Sequence, residues 1–565
     1  MNQFFGKTTW RVFAGLALAT LLGAALLRIP EAHVAALVFL ILAGAWSYWK
    51  KPEFALTLVF AELFAFSHGK LFETEVGGFI FTSRMALFVG IMLAWGWKWI
   101  VGKARPMASP VFWTPWLFLA GALLIGLLTG LARNETKAVL DDFNGYVYAL
   151  YLLPLLSTRW TREARLELLQ TLVGAALWIS ALSLGLLYVF THLPNEALEA
   201  TYKFIRDARI GEITLMEGGY WRVFIQSQIV LIPTLFLLLA FDTEMSMRNH
   251  SLTSKDCLRS GTNFESPRPA RPKLWSEGGF KISSPIAHHT RCCYMFWLLA
   301  FAVSGLVISL SRSFWIGLIV AVPLLFALLV RSGLRRELFS RLPCWLFSGV
   351  IAFALLATAA LTVFPVPSRV VDLRETFSSR TTETGDLAVS SRWNLLPVML
   401  DAMREAPVIG SGFGRELAFV SDDPRVREIY PDGKWRTYKF EWGWLDLWVK
   451  TGALGFLAFI LLFLTYDRLL RESLSQPMWL RAGLRASLVA LAAIHIFSPY
   501  LNHPLGLGIL LLITAFLDFE ERPAHSLVTI VEDKLNVPNL ASPVPTIQSQ
   551  TDLGTIVITP LNQKV

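Results

Sequence analysis

Pro365-Val366-Pro367-Ser368-Arg369 opens a polar stretch that closes on Tyr438-Lys439-Phe440-Glu441-Trp442, and a long apolar run flanks it on either side. Inside it lie Ser390-Ser391-Arg392-Trp393, the turn Gly410-Ser411-Gly412-Phe413-Gly414, and a crowd of charges. Most of the remaining chain is hydrocarbon-soluble. Of 565 residues, 54% are hydrophobic and 16% charged, with a mean hydropathy of +0.51. A soluble protein of this composition would expose a large apolar surface and aggregate. Repeated apolar runs of about 18 or more residues instead suit a hydrocarbon layer about 30 Å thick. The fold class read from this pattern is an all-α polytopic integral membrane protein. It would have about 14 transmembrane helices and one large outer loop, 365–441, carrying short helices.

The expected spans are 10–28, 33–49, 53–67, 80–100, 111–131, 143–157, 166–190, 222–241, 294–310, 313–330, 343–364, 442–466, 481–498 and 504–518. The first run has no small-residue cleavage site and is read as a span rather than a removable signal. Basic residues near span ends stay cytoplasmic. Lys7 and Arg11, Lys50 and Lys51, Lys98 and Lys103, Arg159 and Arg162, Arg335 and Arg336, and Arg468 and Arg471 all fall on one side if the spans alternate. Both termini are then cytoplasmic and 365–441 faces outward. Much of the net charge of +9 follows from this orientation, so no nucleic-acid partner is inferred. The Ser/Pro/Arg/Lys-rich insert 242–293 is read as a flexible cytoplasmic loop. The tail 519–565, rich in Ser, Thr, Pro and Asn, is read as a disordered cytoplasmic segment. Cys257, Cys292, Cys293 and Cys344 lack zinc spacing, and no histidine or carboxylate group has credible metal spacing.

Two outer loops are large. In 191–221 an interfacial helix is expected. In 365–441, Ser390 or Ser391 is expected to cap a helix running to about Arg404, with Trp393, Leu396, Leu400 and Met403 on one face. Three arginines converge on the outer side by this topology. They are Arg222 after Tyr220-Trp221, Arg312 in Ser311-Arg312-Ser313-Phe314-Trp315, and Arg392. Arginine beside a bilayer is costly unless paired, and its planar guanidinium matches phosphate oxygens; anchoring a helix end is the alternative role. Arg84 is a weaker fourth member. Glu441, flanked by Phe440, Trp442 and Trp444, is a candidate general base, or a solvated acid at a helix N-terminus. Trp393, Trp442 and Trp444 offer faces for sugar rings or form part of an interfacial belt. His495, Asn502 and His503 either bind a ligand or terminate two spans. Asp141 and Asp142 are read as a solvated acidic patch within reach of Arg133.

Ser311-Arg312 opening a span, Arg392-Trp393, the Pro407…Gly414 stretch, and Glu441-Trp442-Gly443-Trp444-Leu445-Asp446-Leu447-Trp448-Val449-Lys450-Thr451-Gly452-Ala453-Leu454-Gly455, in that order, resemble the O-antigen ligase/polymerase superfamily. The resemblance spans 294–518, leaving 1–241 as further membrane helices. It implies a metal-independent, inverting glycosyltransferase of the bacterial inner membrane with no cofactor. Its donor would be an undecaprenyl-diphosphate-linked oligosaccharide taken at the periplasmic face, and its acceptor a glycan or lipid; membrane lipid and a chain-length regulator or flippase would be its partners. It implies Arg312 and Arg392 as catalytic residues on the diphosphate, with Arg222 a third by position. Glu441 would be the base, with Arg84, Trp393, Trp442 and Trp444 binding substrate. Ligases of the family open the final element with His-Asn, whereas this chain has Glu441-Trp442. That departure favours a polymerase over a ligase proper or a protein O-glycosyltransferase. A transporter or flippase is the reading from another class, with Glu62 the main charge at mid-span, and a non-catalytic scaffold a third.

Overall fold

The computed structural model describes residues 4–193, 195–260, 285–362, 366–367, 371–372, 374–376, 378 and 387–519. Most of the tail 519–565, residues 261–284 of the insert and much of 365–386 lie outside them. The described chain is helical: α1 Lys7–Leu26, α2 Pro30–Lys50, α3 Pro52–Ala65, α4 Ser83–Ile100, α5 Pro110–Arg133, α6 Thr136–Val147, α7 Leu152–Leu156, α8 Arg162–His192 and α9 Asn195–Asp207. There follow α10 Leu231–Ser260, α11 Pro285–Ile308, α12 Arg312–Arg331, α13 Arg335–Leu361, α14 Leu387–Glu405, α15 Pro424–Ile429, α16 Gly443–Glu472, α17 Met478–Phe497 and α18 Pro504–Phe516. Proline sits at the first helical position of α2, α3, α5 and α18, where its fixed φ helps and its missing N–H costs nothing. Thr82 and Thr161 accept from Met85 N–H and Ala164 N–H and so start α4 and α8.

Among the described residues, nine helices are long and apolar enough to cross a membrane: α1, α2, α5, α8, Gln226–Arg248, α12, α13, α16 and α17. Met295–Ile308 and Pro504–Phe516 are shorter apolar helices. Helices also occupy the expected spans 53–67, 80–100 and 143–157, the last broken by a 3-10 turn at Tyr148–Tyr151. Burial ranks them. Gln226–Arg248 is 89% buried, while α1 and α13 are each 22% buried and turn Leu18, Leu21, Phe347 and Val350 outward. Such faces are stable only against hydrocarbon. This is a multi-pass, helical membrane protein.

One reading changes. α10 runs on to Ser260 and α11 begins at Pro285, so helix extends into the 242–293 insert from both ends. An Arg248–Glu244 pair one turn apart, at 2.6 Å, supports the extension of α10. The outer loop 191–221 does hold a helix, α9. Three two-stranded antiparallel hairpins complete the loop end: β1 Glu73–Val76 with β2 Phe79–Thr82, β3 Glu212–Leu215 with β4 Trp221–Phe224, and β5 Leu417–Val420 with β6 Lys434–Thr437.

Candidate active site

The glycine turn Gly410–Gly414 is explained by a broken helix. Gly452 inside α16 has φ +65, which interrupts the helical ladder and leaves neighbouring backbone groups to find partners elsewhere. The carbonyls of Val449 and Lys450 accept from Ser411 N–H (2.7 Å) and Gly412 N–H (3.1 Å), and Ala453 N–H donates to Pro407 O (2.9 Å). Gly410 and Gly412 have φ +72 and +86, and a side chain on Gly412 would strike the backbone of Thr129 and Gly130. Phe413 is buried against Phe143 and Tyr146, and Asn134 donates to its carbonyl at 2.7 Å. The polar loop therefore re-enters the bundle and is bolted to α5 and α16.

Above this junction, Arg392 on α14 forms an ion pair with Glu441, which leads into α16. Both side chains are about half exposed. Trp442 Nε1–H donates to Arg392 O at 3.0 Å, and its ring meets Trp393 edge-on at 5.2 Å and Phe497 at 5.2 Å. Trp393 is 55% exposed. Four candidates named from sequence thus meet as one cation, one carboxylate and an aromatic shelf. Trp444 does not join them: it packs between helices against His495 and donates to Ala492 O.

The turn Phe497–His503 links this pair to the other arginines. Phe497 touches Trp442, and Ser498 Oγ donates to Ser313 Oγ at 3.1 Å beside Arg312. Leu310, two residues before Arg312, has φ +45, an unfavourable conformation for a branched side chain and a mark of functional turns. Arg222 Nε donates to Ser309 O at 2.8 Å and its guanidinium lies over Phe224. Tyr500 donates to Gln226 O at 3.2 Å. Arg84 stands apart. It is buried in a two-pronged pair with Glu62 (3.0 and 3.2 Å) and donates to Phe66 O and Ser67 O. That occupancy makes it a brace between α3 and α4, not an open substrate contact, and it accounts for the mid-span Glu62.

The helix expected from Ser390 or Ser391 starts earlier, at Leu387. Neither serine caps it. Ser390 Oγ donates to Asp422 at 2.6 Å, and Ser391 Oγ accepts from Asp422 N–H at 2.8 Å, holding α14 to the strand β5. Its inward face is Leu395, Met399 and Ala402, packed with Leu417, Phe440 and Val449. Of the four residues expected to share one face, Met403 packs against this cluster while Trp393 and Leu400 are exposed, and the bonds of Ser390 and Ser391 to Asp422 hold the helix in this orientation.

One network escaped the sequence reading. Lys450 Nζ lies 2.6 Å from both Asp142 and Asp446, with side chains 2%, 7% and 3% exposed. Asp142 also accepts from Gly414 N–H at 2.9 Å; Asp446 accepts from Asn502, whose own oxygen accepts from Tyr146 OH at 2.7 Å. Asp142 is therefore neither solvated nor a partner of Arg133. Outside the spans, burial and then Asp141 and Asp142 push the Tyr438 phenol up, and its hydroxyl faces Asp141 at 3.5 Å. The signal was available: the Asp446–Lys450 spacing places both on one helix face, and an intramembrane lysine demands a carboxylate. Its second partner, far away in sequence, was not legible.

Residues 297–460 match the family described as O-antigen ligase. No curated protein and no solved structure matches the chain. The matched region takes in Arg312, Arg392, the glycine turn, Glu441 and the kink of α16, so a stretch similar to the O-antigen ligase family lies within this multi-pass membrane protein.

Proposed function

We propose that the protein is a glycosyltransferase of the O-antigen ligase/polymerase type, acting as a polymerase on undecaprenyl-diphosphate-linked glycan at the periplasmic face of a bacterial inner membrane, with both termini cytoplasmic. The observation that carries this is the Arg392–Glu441 ion pair under the exposed Trp393, within the family-matched stretch. An acceptor hydroxyl oxygen attacks the anomeric carbon of the donor sugar. The carbon–oxygen bond to phosphate breaks and the diphosphate leaves with the electron pair. Glu441 takes the acceptor's proton. Arg392 and Arg312, with Arg222, neutralise the charge growing on the leaving group. The resting pair serves this exchange: an arriving diphosphate competes for Arg392 and releases Glu441 as a base. Trp393 and Trp442 offer the sugar faces to stack on.

The test is glycan profiling of a deletion strain complemented with wild type, Arg392→Gln, Arg312→Ala or Glu441→Gln. A polymerase predicts accumulated single lipid-linked repeats, rescued only by wild type. Finished polymer left on its lipid carrier would assign a ligase. Normal polymer in every variant would end the proposal.

A further inference from the structure

A second basic basin lies at the other end of the Phe497–His503 turn. Its floor is an edge-to-face pair, His68 and His503, with ring centroids 5.2 Å apart. Ser67 Oγ donates to Ile210 O at 2.8 Å, which draws the preceding Arg209 towards His68. Arg209 has φ +45, a backbone shape that a long side chain adopts only under constraint. Lys439, exposed two residues before Glu441, holds its ammonium 5.4 Å over the Tyr438 ring, close enough for its charge to act on both histidines. Lys70 and Arg84 complete the ring of cations, matched by Glu73 at 3.1 Å and Glu62 at 3.0 Å. Among the described residues, no ion pair is formed by Arg209 or Lys439.

The histidines act as donors here. Burial first, then Arg84, Arg209, Lys70 and Lys439, push His68 down to about 4. Burial, His68, Arg84 and Lys439 push His503 well below the usual imidazole range. Both rings are neutral at pH 7. His503 Nδ1 accepts from Leu505 N–H at 3.3 Å, which places its proton on Nε2. Two uncompensated cations above neutral N–H donors form a site short of acceptors, and a phosphate oxygen supplies them.

We propose that this basin is a second oxyanion subsite that receives the phosphate groups of the acceptor, a second lipid-linked substrate, while Arg392, Arg312 and Arg222 hold the donor's diphosphate. The assignment of the occupant rests on the polymerase reading, because only a polymerase brings two diphosphate-bearing lipids together. An anionic phospholipid headgroup has the same chemistry, and the experiment separates the two.

Inorganic diphosphate is titrated calorimetrically into the purified full chain in phosphatidylcholine nanodiscs. Two bound per chain are expected. The double variant Arg209→Gln/Lys439→Gln should lose one, each charge removed weakening that site at least about tenfold. Arg392→Gln/Arg312→Gln should lose the other. Both Arg209 and Lys439 are exposed, so an unchanged melting temperature will certify folding. A single diphosphate per chain, indifferent to Arg209→Gln/Lys439→Gln, overturns the subsite and leaves the polymerase reading standing. Binding indifferent to Arg392→Gln/Arg312→Gln overturns the donor assignment and keeps the basin. Repeating the titration with phosphatidylglycerol in the nanodiscs decides the occupant. Retention of the second diphosphate supports the acceptor, and its displacement by phosphatidylglycerol overturns that assignment in favour of a headgroup.

Discussion

Two charged clusters stand at the head of α16 and differ most in their access to water. Arg392 and Glu441 are 42% and 52% exposed. Lys450 and its two aspartates are almost wholly enclosed. An exposed pair gains little from association, because water screens it and two mobile side chains must be ordered. It can open whenever a better partner arrives. A buried trio cannot, since separating it strands a charge in a poor dielectric. The same carboxylate–cation chemistry is thus divided between a part free to exchange partners and a part that holds. The holding part also fixes the glycine turn, through Asp142 and Gly414, and so sets where α14 and Arg392 stand.

The sharpest way to break the comparison is Lys450→Met. Leaving two buried aspartates unmatched should cost about 3–5 kcal/mol, read as a lower denaturation midpoint in detergent and less protein in the membrane. Adding Asp142→Asn and Asp446→Asn should recover much of that loss. A Lys450→Met protein as stable as wild type would show that the trio is not a brace. Arg392→Gln should behave in the opposite way. Its stability should change by less than about 1 kcal/mol, while polymer synthesis, measured at matched protein levels, falls about 10²–10³-fold. Arg392→Lys keeps the charge and loses the planar fork, so it should recover only part. Equal losses of folding and activity in both variants would erase the distinction between the regions.

What the sequence made legible follows the same division. Helix existence and the membrane class were readable because each apolar run is local and its solvent is uniform. The ordering Ser311-Arg312, Arg392-Trp393, Glu441-Trp442 was readable because it lies along one chain, and the structure brings Arg392, Trp393, Glu441 and Trp442 together. The rotation of α14 was not readable. Trp393 and Leu400 are as apolar as Leu395 and Met399, and the inward face is set by partners far away in sequence, Leu417, Phe440 and Val449 in the core and Asp422 and Ser421 on the serines. Arg84 and Asp142 were misplaced for one reason: each is neutralised by a partner on another helix, Glu62 or Lys450, and periodicity carries no information about such pairings.

Smaller effects sharpen the boundary between the regions. Gly412→Ala forces a side chain into left-handed backbone, about 1–2 kcal/mol, and also against Gly130. Stability should fall by at least that amount, and synthesis should fall with it, because the turn is what carries Arg392 to Glu441. A Gly412→Ala protein with normal melting and normal polymer would mean that the close approach to α5 is dispensable.

The mildest test concerns the outer latch. The Ser390 hydroxyl first, with Asn394 and Arg427, holds the Asp422 carboxyl below its usual range against the opposing effect of burial. A depressed folded value means that Asp422 contributes to stability above its unfolded value, about 3.9. The contribution is lost as pH falls through the lower folded value. Hydrogen exchange across α14 and the β5–β6 hairpin should therefore be slow at neutral pH, once intrinsic rates are removed, and should quicken only in strong acid. Asp422→Asn should quicken it already at neutral pH and flatten the acid response. The first turns of α16, held by the enclosed Lys450, should be unmoved by that substitution. If its protection fell in step with that of α14, the loop of the exposed pair and the brace would be a single cooperative unit, and the division between them would have to be drawn elsewhere.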